Sequence, residues 1–344
     1  MIALLLAASS ALVLSLVGTP LLIRSLRERG IGQLIREDGP QGHQTKAGTP
    51  TMGGIAIVTS AVLGYVIGHW RTDGFDPAGV TVVFAIVGLA GVGFIDDYLS
   101  IRHRRNLGLK KRQKTAGQLV VGVGFALLAL QWVDASTHLS FTRELELDLG
   151  VGLWAVWAIF LIMGSSNAVN LTDGLDGLAS GSAAMVFGAF VIISFWQVRN
   201  QSVYGIPQDQ ALDLAIVAAA MMGACAGFLW WNAAPAQIFM GDTGSLAIGA
   251  AIAGLALLTR THLLLPILAG LYVVETLSVM IQVVAFRGFG RRLFRMAPVH
   301  HHFELGGWPE ITVIVRFWLI AGLLVAFGLG LFYADFITIP GALD

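Results

Sequence analysis

The chain has 344 residues, 56% hydrophobic and 12% charged, with a formal net charge of zero. That charged fraction is about half of what a soluble domain carries, which excludes an ordinary water-soluble fold. No excess positive charge points to nucleic acid, and the single cysteine, Cys225, excludes an intrachain disulfide and a cysteine-based metal site. Long apolar stretches alternate with short polar loops, the pattern of helices sized to a hydrocarbon core of roughly 30 Å. In chain order they predict ten spans, over 1–23, 51–69, 79–99, 117–133, 150–168, 178–197, 211–230, 245–259, 263–286 and 314–336. The first lacks a basic region before its apolar run, and Arg24, Arg27 and Arg29 follow it, so it reads as a retained helix. The 42 glycines suit a bundle with close backbone approach.

The Lys and Arg residues orient these spans. The loops after spans one, three and nine hold sixteen of them, and the alternate loops hold only Arg71, Arg143, Arg199 and Arg260. By the positive-inside rule the basic loops are cytoplasmic and both termini lie outside. The expected fold is therefore an all-α polytopic membrane protein, a single unit over 1–344. No internal repeat or low-complexity segment interrupts it.

The chemistry-bearing residues fall in the cytoplasmic loops. Asp96 and Asp97 end span three in Gly93-Phe94-Ile95-Asp96-Asp97-Tyr98. They read either as a solvated helix end or as carboxylates awaiting a cation or basic partner. Next comes Asn167-Ala168-Val169-Asn170-Leu171-Thr172-Asp173-Gly174-Leu175-Asp176-Gly177, without one Lys or Arg. If helical, Asn167 and Asn170 share a face, as do Asp173 and Asp176. Such amides and acids suit a ribose, a base edge or a cation, where the plain alternative is a glycine-broken turn. Beyond Asn232, Phe239-Met240-Gly241-Asp242-Thr243-Gly244-Ser245 places one acid before an apolar span, as an N-cap or as a member of the same site.

Two further motifs suggest phosphate. His300-His301-His302-Phe303-Glu304 lacks zinc-ligand spacing and fits phosphate binding or proton handling better. Lys46-Ala47-Gly48-Thr49-Pro50-Thr51-Met52-Gly53-Gly54 offers backbone N–H groups and a charge to an anion, without the order of a P-loop. Inside span nine, Glu275 serves either structure or catalysis, and Gln282 lies near that span's cytoplasmic end.

Together these motifs resemble the polyprenyl-phosphate N-acetylhexosamine-1-phosphate transferases of glycosyltransferase family 4. The resemblance runs from the first span to the tenth, and the histidine run points to the MraY group rather than its GlcNAc-1-phosphate-transferring relatives. It implies transfer of phospho-MurNAc-pentapeptide from UDP-MurNAc-pentapeptide to undecaprenyl phosphate, giving lipid I and UMP in peptidoglycan biosynthesis. It also implies Mg²⁺, a homodimer, and an active site on the cytoplasmic face of a bacterial plasma membrane. By the same resemblance Asp242 coordinates Mg²⁺ with Asp96 and Asp97 beside it, and His300 contacts substrate phosphate. Asn170, Asp173, Asp176 and Phe239 match positions that hold the uridine moiety, Phe239 by stacking on uracil. Lys46, Lys114, Asn232, Gln282, His301 and His302 complete the substrate-binding set. The sequence departs from the family's Asp-Asp-x-x-Lys pattern, because Ser100 stands where the lysine is expected. Arg102, Arg104 or Lys114 would then supply the charge, with Lys114 preferred. The competing readings are a related GlcNAc-1-phosphate transferase and, in a different class, an ion-coupled secondary transporter. The second expects acids near the membrane midplane and internal repeats.

Overall fold

A computed structural model of the chain describes residues 1–32, 48–72, 74–103 and 108–339. Each predicted span contains a helix. The first four are α1 (Ile2–Glu28), α2 (Gly54–Gly68), α3 (Pro77–Arg102) and α4 (Lys111–Gln131). A hairpin of β1 (His138–Ser140) and β2 (Glu144–Asp148) leads into α5 (Gly150–Thr172) and α6 (Leu178–Arg199). The short α7 (Gln201–Tyr204) precedes α8 (Gln208–Asn232) and α9 (Gly241–Leu258). Then follow α10 (Leu265–Leu268), α11 (Gly270–Phe289), α12 (Val299–Glu304) and α13 (Glu310–Ile337). Among the described residues nine helices are long and apolar enough to cross a membrane, and α2, at 15 residues, is shorter.

α8 and α9 form the interior. The most apolar stretches of these two helices are 78% and 89% buried, against 28% for α1, α11 and α13. α8 lies between α1, α2 and α6, and α9 between α3, α5 and α2. The outer faces carry exposed apolar side chains such as Leu5, Phe160, Val284 and Leu323, which suits a surface turned to lipid rather than water.

Two local features differ from expectation. Span nine is divided: Pro266 sits in the first turn of α10, and the backbone leaves helical geometry at Ala269 (φ −100°, ψ 26°) before α11 resumes. The hairpin adds an antiparallel pair, His138 with Asp148 and Ser140 with Glu144, to a chain expected to be all helical. It is pinned at the bundle end opposite the start of α9. Arg143 grips Asp335 of α13 through two 2.8 Å hydrogen bonds, and Arg260 pairs with Glu144 at 2.7 Å. Ser140 N–H donates to His262 Nε2 at 2.8 Å, and burial holds the His262 pKa down at about 4.

The same end contains a second polar cluster. Asp213 of α8 accepts from the Tyr65 hydroxyl at 2.9 Å and from the Asp76 N–H at 2.8 Å, while its other oxygen lies 2.7 Å from His69 Nε2. His69 Nδ1 faces the Tyr65 carbonyl at 2.8 Å. Both ring nitrogens thus face oxygens, an arrangement that favours the doubly protonated imidazolium.

Candidate active site

The site is assembled where α9 begins. Gly93 of α3 faces the first turn of α9 so closely that a Cβ there would sit 2.2 Å from the Asp242 carbonyl oxygen. Only a hydrogen fits, so the two helices touch backbone to backbone. One helical turn further, Asp97 reaches over the end of α9. Its Oδ1 accepts from the Asp242 N–H at 3.0 Å, and its Oδ2 accepts from the Thr243 N–H at 3.0 Å and the Thr243 hydroxyl at 2.6 Å. The first N–H groups of a helix lack partners of their own, and here a carboxylate from a neighbouring helix supplies them. Asp97 is 8% exposed and is largely occupied as this cap.

Asp96 lies about 100° round α3 from Asp97 and so faces elsewhere. It is half-buried, and its Oδ1 accepts from the Leu109 N–H at 2.9 Å. Asp242 is gripped through both oxygens. The Lys114 ammonium, from the start of α4, donates to Oδ2, and the Asn170 amide donates to Oδ1 at 2.5 Å. Asn170 also donates to Ser245 Oγ at 2.9 Å, which brings into the site a residue that the sequence offers only as part of the Asp242 motif. Asp96, Asp97 and Asp242 bring oxygen atoms within 4.8 Å of one another, a grouping able to hold a metal ion. A set of carboxylate oxygens without sulfur suits a hard divalent cation.

The acidic segment after α5 is not the helix that its spacing allowed. α5 ends at Thr172, and Gly177 takes a left-handed φ of 78°, so Asp173 and Asp176 sit on a turn with no shared helical face. Asp173 retains some surface, but the protein packed around it raises its pKa to about 8, reinforced by the charges of Asp242, Asp97 and Asp176. Asp176 is buried and accepts from the Ala236 N–H at 2.9 Å. Asn167 and Asn170 both lie on α5 and share a helical face as expected, and Asn167 exchanges hydrogen bonds with Gln118 of α4 at 3.2 and 3.3 Å.

Neighbouring loops frame the cluster. Phe239 is half-buried, its N–H donates to the Pro50 carbonyl at 2.8 Å, and its own carbonyl accepts from Gly53 at 2.9 Å. The segment beginning at Gly48 is thereby strapped to the start of α9. Asn232 accepts from Ser180 Oγ at 2.9 Å and donates to the Ile238 carbonyl at 3.0 Å. Gln282 bonds Leu293 and Phe294 through both ends of its amide. These two residues were expected to bind substrate. Their amides also bond the loops that border the site. Lys46 and Arg104 lie outside the described residues.

The three histidines occupy successive positions of α12 and diverge accordingly. His300 is fully buried, with Nδ1 3.1 Å from Glu275 Oε2. His301 Nδ1 lies 2.7 Å from Glu304, and His302 Nδ1 accepts from the Arg295 N–H at 3.1 Å. His300 and His301 both abut Gly174 in the acidic turn.

A polytopic helical protein with a carboxylate, lysine and asparagine cluster at the head of its central helix is the class that the fold and site define. Residues 80–260, which contain that cluster, match the model of glycosyl transferase family 4, and residues 46–58 match phospho-N-acetylmuramoyl-pentapeptide-transferase signature 1. Among curated proteins, the phospho-N-acetylmuramoyl-pentapeptide-transferase of Frankia casuarinae is 54% identical over 98% of this chain and 99% of its own. Those of Kineococcus radiotolerans (52% identical, 97% and 98% covered) and Streptomyces griseus (52%, 95% and 97%) are similar to the same extent. The chain belongs to the family of phospho-N-acetylmuramoyl-pentapeptide-transferases.

Proposed function

We propose that the protein transfers phospho-MurNAc-pentapeptide from UDP-MurNAc-pentapeptide to undecaprenyl phosphate, giving lipid I and UMP in peptidoglycan biosynthesis. An oxygen of the lipid phosphate attacks the phosphorus that bears the sugar. The bond from that phosphorus to the bridging oxygen breaks, and UMP departs. The observation that carries this reading is the convergence of Asp96, Lys114, Asn170 and Asp242 at the head of α9, in a chain half identical to transferases of that name.

The reaction brings two anions together, so catalysis is chiefly positioning and charge neutralisation. Lipid phosphate has a second pKa near 6, so it needs little help to ionise at neutral pH. Asp96 therefore acts in positioning and metal binding rather than as an obligatory base. Asp96 and Asp242 would hold Mg²⁺, which supplies charge neutralisation on the diphosphate when bound. Asp97 keeps the head of α9 in place, and Asn170 orients the Asp242 carboxylate. Lys114 provides the cation that Ser100 does not, and it sits on Asp242 itself. Phe239, Asp173 and Asp176 border the nucleotide, with the Phe239 ring against uracil. His300 meets substrate phosphate. Lys46, His301 and His302 belong to the same donor surface.

The whole chain acts as one membrane unit. Ten crossings put both termini outside and the head of α9 at the cytoplasmic face of the bacterial plasma membrane. There a soluble nucleotide and a bilayer-bound lipid both have access. The active form is a homodimer. The test is UMP release by purified protein with undecaprenyl phosphate and either UDP-MurNAc-pentapeptide or UDP-GlcNAc, with and without Mg²⁺. Mg²⁺-dependent release from the muramyl donor alone is expected. Release from UDP-GlcNAc alone would move the protein to the sister activity, and no release from either in folded protein would overturn the reading.

A further inference from the structure

Glu275 is a carboxylate with no exposed surface, carried on an apolar helix of membrane-spanning length. Such a group is costly unless its charge is answered. The near charge-capable group is His300, also without exposed surface, whose Nδ1 lies 3.1 Å from Glu275 Oε2. The approach is bent rather than aligned as a hydrogen bond, and His300 Nε2 has no hydrogen-bond partner among the described residues. The two side chains are nonetheless in contact, a buried acid against a buried imidazole.

The other side of the imidazole points at the acidic turn. A Cβ on residue 174 would fall 2.5 Å from His300 Nε2, so glycine is what lets that nitrogen reach the turn between Asp173 and Leu175. His300 is thus held between a buried carboxylate and the wall of the site, with Nε2 aimed at the latter. A carboxylate on one ring nitrogen decides which tautomer the other presents.

We propose that Glu275 is a positioning residue for His300. It keeps a proton on Nδ1 and presents Nε2 to the substrate phosphate, as a lone pair on the neutral ring and as an N–H donor on the imidazolium. The inference rests on the reaction proposed above. It assigns to an intramembrane acid, 25 residues from His300 in sequence, a part in the site that it does not line.

The experiment is a double-mutant cycle on the full-length protein in detergent, with Glu275→Gln, His300→Gln and the double variant. Turnover and the KM for UDP-MurNAc-pentapeptide are read by UMP release. Glu275→Gln keeps the size and an acceptor oxygen but loses the charge. It should lower kcat by about 10- to 100-fold, the range seen when carboxylates that orient histidines are removed at metal sites, with little change in KM. The double variant should be no slower than His300→Gln alone, because Glu275 acts only through His300. Multiplying effects, or wild-type kcat in a folded Glu275→Gln variant, would overturn the proposal. A separate readout needs no turnover: the ¹⁵N-histidine spectrum of the wild-type protein, in which the His300 signals are those lost in His300→Gln. A protonated Nδ1 is expected, and an unprotonated Nδ1 would overturn the proposal even if Glu275→Gln misfolds. Wild-type protein that releases no UMP would instead overturn the reaction, leaving the spectrum to decide the contact.

Discussion

The two ends of the central helix pair both bury carboxylates, and they treat them in opposite ways. At the α8 start, Asp213 receives a tyrosine hydroxyl, a backbone N–H and the His69 imidazolium, and its side chain is 3% exposed. One Asp213 oxygen accepts two hydrogen bonds and the other faces the His69 ring at 2.7 Å, so the carboxylate is answered within the chain. At the α9 start, Asp242 is 20% exposed and bonded to Lys114 and Asn170, with Asp96, Asp97 and Asp173 close by. Among the described residues, four acids face one lysine there. A buried carboxylate answered by its own chain braces the fold. A cluster with more acids than cations is unfinished until something positive and something anionic arrive, which is how a site differs from a brace.

The sharpest way to break that comparison is to neutralise each acid in turn. Asp242→Asn should reduce UMP release at least about 100-fold, as removal of a main electrostatic group does elsewhere, while thermal unfolding in detergent stays near wild type. Asp213→Asn should do the reverse. Losing the partner of a buried charge costs about 3 kcal/mol, which lowers Tm by roughly 5–10 °C, and turnover per folded molecule should persist. If both variants lose activity without losing Tm, the two ends do not differ as described. Next in size is Lys114→Ala, which should slow turnover by about tenfold or more, since it removes the cation on Asp242. Wild-type activity would show that Lys114 does not compensate for Ser100.

The ten helical stretches were readable because hydropathy over a bilayer's width is a local signal. The site was readable mainly as a set of motifs, and their internal arrangement was not. Nothing in Asp96-Asp97 says which of the two caps α9. That follows from Gly93 packing against residue 242, a contact between segments almost 150 positions apart. At Asp173 and Asp176 the spacing allowed a helix or a glycine-broken turn, and the chain takes the turn; Asn167 and Asn170 do share a face of α5, but the Gln118 partner of Asn167 lies on another helix and leaves no local signal. The loop bonds of Asn232 and Gln282 were not readable either, since an amide that binds its own loop is spelled no differently. Two further features carry a local signal in the sequence. Glu144-Leu145-Glu146-Leu147-Asp148 alternates as a strand does, and Tyr65, His69 and Asp213 are polar residues in otherwise apolar surroundings.

Phe239→Ala sharpens the site end by asking whether the half-buried ring faces substrate. Base stacking on aromatic side chains is worth about 1–3 kcal/mol per base, so the KM for the nucleotide donor should rise while that for undecaprenyl phosphate stays constant. Equal effects on both substrates would assign the ring to loop packing, alongside its backbone bonds to Pro50 and Gly53.

The smallest expected effect tests the brace through pH. Desolvation lowers the His69 pKa, but the Asp213 hydrogen bond, the Tyr65 carbonyl and the Asp213 charge together carry it above its ordinary 6.5. The folded state then holds a proton that the unfolded chain releases above that value. The stabilisation is complete below 6.5 and is lost as pH rises through the raised pKa. Asp173, raised to about 8, contributes a slope of the same sign, because the folded form keeps a proton that an unfolded aspartate loses near 3.8. The difference between wild type and His69→Gln therefore isolates the histidine. Wild-type Tm should fall more steeply than that of the variant as pH rises above neutrality. Parallel curves would mean that His69 is neutral beside Asp213, and that the far end of the bundle carries an unanswered charge after all.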